Sequence, residues 1–162
     1  MRDLIEVFFG VLIAFVLFYF VSKVSFTLAQ TINFFSLVVI YFAIQKGEIL
    51  GAGIGAFCGL VQDSFSIGVI GIAGIAKTIM GFTAGYVSKK VNVMTFGKNF
   101  IFILLLMIIE LILWVSISLF VYSRNWMAGQ KLILFQPIVT AGFGSILLFI
   151  ANKLKKIGSS AD

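Results

Sequence analysis

The chain contains no histidine, which removes the side chain that most often serves as acid, base or metal ligand near neutral pH. Ser–His and Cys–His nucleophile arrangements are excluded with it. Cysteine occurs once, at Cys58, so neither an intramolecular disulfide nor a thiolate metal cluster can form. Charge is scarce as well, at 11% of 162 residues. No phosphate-binding loop, HExxH helix or closely paired carboxylates are present, and isolated serines do not define a hydrolase. The sequence therefore predicts no enzymatic activity, no cofactor and no metal.

What the chain has instead is apolar length. Hydrophobic residues make up 61% of it, more than a soluble domain of this size could hide. Runs of about 20 apolar residues suffice to cross a bilayer core of roughly 30 Å. Six such segments are predicted, at 4–22, 27–45, 48–62, 67–88, 99–122 and 132–152, followed by a basic, then polar tail over 153–162. Helices are the expected form, because a helix satisfies its own backbone hydrogen bonds in lipid, and the alternating pattern of a barrel strand is absent. The fold class expected is an all-α integral membrane protein, a single domain of six spans.

Twelve basic residues against six acidic ones suggest an anionic partner until their positions are considered. With the N-terminus inside, the cytoplasmic segments carry Arg2, Lys46, Lys89, Lys90, Lys98, Lys153, Lys155 and Lys156. Lys23, Arg124 and Lys131 fall outside. This asymmetry is the positive-inside rule, with both termini cytoplasmic, and nucleic-acid binding is unnecessary to explain it. Lys46 and Glu48 are expected to be solvated at the cytoplasmic boundary. Tyr122 and Trp126 suggest an aromatic belt at the outer surface.

Two charges interrupt the apolar runs. Lys77 is expected midway along the fourth segment and Glu110 midway along the fifth, so antiparallel neighbours would hold them at similar depth. Each costs about 2.5 to 3.5 kcal/mol at a helix centre, which pairing offsets only in part. The pair can lock two helices in register or couple to a ligand or proton, and the absence of direct pairing is a third reading.

Glycine is concentrated where the spans are shortest: ten of the sixteen glycines lie between Gly47 and Gly85. Gly51, Gly55 and Gly59 recur at i, i+4 and i+8 along one helix face, and Gly81 and Gly85 repeat the interval on the next helix. Such faces admit a neighbouring backbone closely, either within this chain or from another protein's helix. Asp63, with Ser64 and Ser66, falls at the intervening turn, where it can cap the following helix or contact a partner. Gln30, Thr31, Asn33 and Ser36 mark the outer half of the second segment as facing protein. Thr140, Ala141, Gly144 and Ser145 form another small face in the sixth.

The stretch 51–90, GAGIGAFCGLVQDSFSIGVIGIAGIAKTIMGFTAGYVSKK, closely resembles the MreD family of bacterial rod shape-determining proteins. The arrangement GxxxGLxQD followed by GxxGxxKTxxGFxAG carries the resemblance, through Gly55, Gly59, Leu60, Gln62, Asp63, Gly71, Gly74, Lys77, Thr78, Gly81, Phe82, Ala84 and Gly85. It implies a fold similar to the S-components of energy-coupling-factor transporters. It also implies a non-catalytic scaffold or regulator of cell elongation in the bacterial cytoplasmic membrane. The implied partner is an MreC-like bitopic protein, and through it MreB, RodA and the elongation transpeptidase. Self-association is left open.

On this reading, small-residue surfaces receive the single span of the MreC-like partner. The alternative is an S-component that binds a vitamin or related small molecule, with Gln30, Asn33, Asp63 and Tyr86 offering polar contacts. An ion-coupled carrier using Lys77 and Glu110 is a third reading.

Overall fold

The second apolar segment is interrupted. A computed structural model describes residues 2–65, 69–91, 96–121 and 134–158, and it divides the segment expected at 27–45 into α2 (Phe26–Thr31) and α3 (Phe34–Lys46). The Ser25 hydroxyl caps α2 by accepting from the Leu28 N–H at 3.4 Å. Ile32 then turns extended, with φ −108° and ψ 116°, a conformation that suits a β-branched residue. Asn33 restarts the helix, its Oδ1 accepting from the Ser36 N–H at 3.2 Å. An asparagine that bonds its own backbone competes with the helical ladder and favours a cap over a helix interior.

The other elements are α1 (Arg2–Val24), α4 (Glu48–Ser64), α5 (Ile72–Ser88), α6 (Phe96–Val121) and α7 (Gln136–Gly158). Every regular element among the described residues is helical. The spans α1 and α6 are long and apolar enough to cross a membrane, and α3 and the first part of α7 are shorter apolar helices. The basic segment expected as a tail from Lys153 continues α7 as helix to Gly158, since Lys and Leu are good helix formers. Ser66, Gly68, Tyr122 and Trp126 lie outside the described residues, as does the side chain of Gln30.

Helix α3 occupies the centre and touches α1, α4, α5 and α7. Its buried residues include Phe34, Phe35, Leu37, Val39, Ile40, Phe42 and Ala43, and a helix apolar on nearly every side belongs inside a bundle. The outermost helix, α1, buries Val11 and Ala14 but exposes Phe8, Phe9, Ile13, Val16 and Phe20. Along α6, Ile101, Leu105, Ile108 and Ile112 form an exposed stripe. Apolar surface this extensive needs a non-aqueous neighbour, and the fold is compatible with a helical membrane protein.

The most extensively packed pair is α4 with α5. A Cβ on Gly51 would lie 2.6 Å from the Gly81 carbonyl oxygen, and one on Gly59 would lie 2.5 Å from the Ala73 carbonyl oxygen and the Gly74 nitrogen. At Gly55 it would collide with the Lys77 carbonyl, and at Gly85 with the backbone of Glu48. The ladder is therefore consumed inside the chain, and it is not a face on which another protein's helix can dock.

Both ends of this hairpin differ from the sequence expectation. The fourth segment begins as helix at Ile72 rather than 67, after Gly71 adopts a left-handed φ of +111° that favours glycine. At the opposite end, Lys46 pairs with Glu6 at 3.1 Å and Lys89 with Glu48. The side chains of Lys46 and Glu48 are only 22% and 24% exposed, so both are partly shielded and paired rather than freely solvated.

Candidate functional site: a buried polar cluster

Because α5 begins at Ile72, Lys77 sits in its second turn, about 7.5 Å from the helix start rather than midway. Its side chain is fully buried and aims between α3 and α6. The ammonium donates to Glu110 Oε1, to Ser36 Oγ and, at 3.3 Å, to Asn33 Oδ1. These three acceptors match the three protons of a lysine ammonium.

Glu110, on α6, is 6% exposed. Besides Lys77, its Oε1 accepts from Ser36 Oγ at 2.9 Å and from Asn33 Nδ2 at 3.2 Å. All the donors converge on that oxygen, while Oε2 is buried with no hydrogen-bond partner among the described residues. The network extends to α7 through Thr140, which is fully buried. Its Oγ1 accepts from the Asn33 N–H at 3.1 Å and donates to the Thr31 carbonyl at 3.4 Å. Thr140 thus spans the break between α2 and α3, and the cluster ties α3, α5, α6 and α7 together.

Asp63 belongs to a separate arrangement. Its Oδ2 accepts from the Gly71 N–H at 2.8 Å, the Ala73 N–H at 3.1 Å and the Gly74 N–H at 3.3 Å, and Oδ1 lies 3.3 Å from the Ala73 nitrogen. A carboxylate held by the first amides of α5 satisfies donors that have no helical partner and complements the helix dipole. Asp63 therefore closes the α4–α5 turn from within the chain.

The structure brings together Lys77 and Glu110, and it brings together the five glycines of the ladder. It does not gather the residues considered for a small ligand. Asn33 is inside the polar cluster, Asp63 is engaged with backbone amides, and Tyr86 is exposed near the far end of α5. Ser36 and Thr140 were visible in the sequence as polar interruptions, but nothing in the linear pattern assigned them to Lys77. The i, i+3 spacing of Asn33 and Ser36 was the available signal, since it places both on one helical face.

A serine beside a lysine has the composition of a nucleophile pair, but this geometry does not serve one. Lys77 Nζ is enclosed by Glu110 Oε1, Ser36 Oγ and Asn33 Oδ1. Ser36 and Lys77 are also both fully buried, leaving no approach for a substrate. The arrangement positions helices, and what it offers chemically is one unoccupied carboxylate oxygen.

Comparison with family models, with curated proteins and with solved structures finds no match to this chain.

Proposed function

We propose that this chain is a non-catalytic, multi-pass scaffold of the bacterial cytoplasmic membrane, of the MreD type, acting in cell elongation. The interrupted α2–α3 segment counts as one span, giving six, with both termini on the cytoplasmic side as the distribution of basic residues favours. The observation that carries this reading is what the motif residues do. Gly55, Gly59, Gly81 and Gly85 hold α4 against α5, Asp63 closes their turn, and Lys77 ties the hairpin to α3 and α6. Glycines and charges of the motif that serve internal geometry suit a rigid platform better than a reaction site.

The partner in this account is an MreC-like protein with a single span, which links the platform to MreB and to the RodA and transpeptidase pair that builds lateral wall. Since the ladder is filled by α5, that span packs on an outward face, and α1 and α6 offer the broadest ones. A photo-crosslinking residue placed at Ile13 or Ile108 in native membranes tests this. Covalent capture of a single-span protein at either position supports the reading. Lipid adducts alone, at these and at every other outward position of α1 and α6, would remove it.

A further inference from the structure

The exposed face of α5 ends in an arrangement that its packing and polar roles leave unused. Ile75, Ile79, Phe82 and Tyr86 recur at helical spacing along it, between 42% and 52% exposed. The Phe82 and Tyr86 rings are stacked, with centroids 6.3 Å apart and planes within 6° of parallel. Beyond the helix end, Lys90 Nζ lies 4.3 Å from the centre of the Tyr86 ring and donates to its hydroxyl at 2.6 Å.

Lys90 differs from Lys46 and Lys89 at this end of the bundle. Lys46 and Lys89 each face a carboxylate, whereas the only hydrogen-bond partner of Lys90 among the described residues is the tyrosine hydroxyl. Among the described residues its ammonium is therefore held in place with no carboxylate against it. With one proton given to the Tyr86 hydroxyl, the ammonium has two more to donate and the hydroxyl has its own, a donor set suited to phosphate oxygens. The helix C-terminus carries partial negative charge and opposes an anion, so recognition there depends on the ammonium.

We propose that Tyr86 and Lys90 bind the phosphate of an anionic phospholipid whose acyl chain lies along Phe82, Ile79 and Ile75. From Tyr86 to Ile75 is eleven residues, about 16 Å of helix, close to the roughly 15 Å depth of one leaflet's hydrocarbon. The inference rests on the membrane-embedded reading above and names a lipid partner for its cytoplasmic face.

The experiment is native mass spectrometry of the full-length protein released from nanodiscs holding phosphatidylglycerol and phosphatidylcholine in equal amounts. Wild type is expected to retain phosphatidylglycerol preferentially. Lys90→Gln should weaken that retention about tenfold, the scale of one charge-assisted hydrogen bond, and Tyr86→Phe should weaken it less. Lys23→Gln should leave it unchanged, because Lys23 stands 5.6 Å from the Tyr19 ring at the opposite end of the bundle. Equal retention of the two lipids, no retained lipid, or full retention by Lys90→Gln would overturn the site. Alkaline extraction of native membranes separates the two levels. A chain released by alkali defeats the membrane reading itself, whereas a chain that stays but shows no lipid preference defeats the lipid site alone.

Discussion

Gly55 of α4 sits directly against the backbone carbonyl of Lys77 on α5, so the residue whose side chain reaches Glu110 is held from behind by a glycine. The ammonium reaches Glu110, Ser36 and Asn33 because the α5 backbone lies this close to α4. Packing and polar positioning are thus two sides of one residue.

Glycines on α4 should separate sharply by face. A methyl group on Gly55 or Gly59 meets backbone, which cannot move aside as a side-chain tip can, whereas one on Gly53 meets nothing within 4 Å. Gly55→Ala and Gly59→Ala should each lose about 1–3 kcal/mol, the usual scale of overpacking. Gly53→Ala should be neutral or gain up to about 1 kcal/mol from helix propensity. Reversible denaturation in mixed micelles would compare the three.

Lys77 and Glu110 should behave as a coupled pair. Lys77→Met leaves a buried carboxylate, and Glu110→Gln keeps an acceptor but strands the ammonium. Each should cost about 3–5 kcal/mol, the range for breaking a buried ion pair. The double variant removes both charges and should be less damaged than the sum of the singles. Additive losses in the same denaturation assay would mean that the two charges do not depend on each other.

Removing the Asp63 carboxylate should loosen the start of α5 specifically. Asp63→Ala should cost about 0.5–2 kcal/mol, the measured range for losing a capping side chain. Hydrogen exchange should accelerate at the amides of Gly71, Ala73 and Gly74, with the α6 amides unchanged. Uniform acceleration through the chain would contradict a local role.

Thr140 is expected to hold the break in the second span. Thr140→Val keeps the shape but leaves the buried Asn33 N–H without its acceptor, at about 1–3 kcal/mol. Faster exchange at Asn33 and Ser36, measured beside the unaltered α4 amides, is the corresponding signature.

Helical segments were legible because apolar length and glycine spacing are local properties, and so was the close approach that glycine permits. The break at Ile32 was not, since in an apolar run Asn33 reads equally well as an interior polar residue. Its capping role emerges only where Ser36 N–H and Thr140 supply partners. The start of α5 was placed too early for a similar reason: Gly71 and Asp63 end the turn jointly, across eight residues of sequence. Lys77 and Glu110 announced themselves by charge, but the surrounding set of Asn33, Ser36 and Thr140 came from two other helices. The direction of the glycine ladder also needed the third dimension, because periodicity identifies a face without saying what covers it.

The most direct test of the scaffold account is to identify what the chain holds in its own membrane. The tagged protein would be extracted gently with detergent and its co-purifying proteins identified by mass spectrometry. The account predicts a single-span protein with a periplasmic coiled coil, accompanied or not by wall synthases. Recovery of paired ABC ATPases with a transmembrane coupling subunit would contradict it and make the chain a transport component instead.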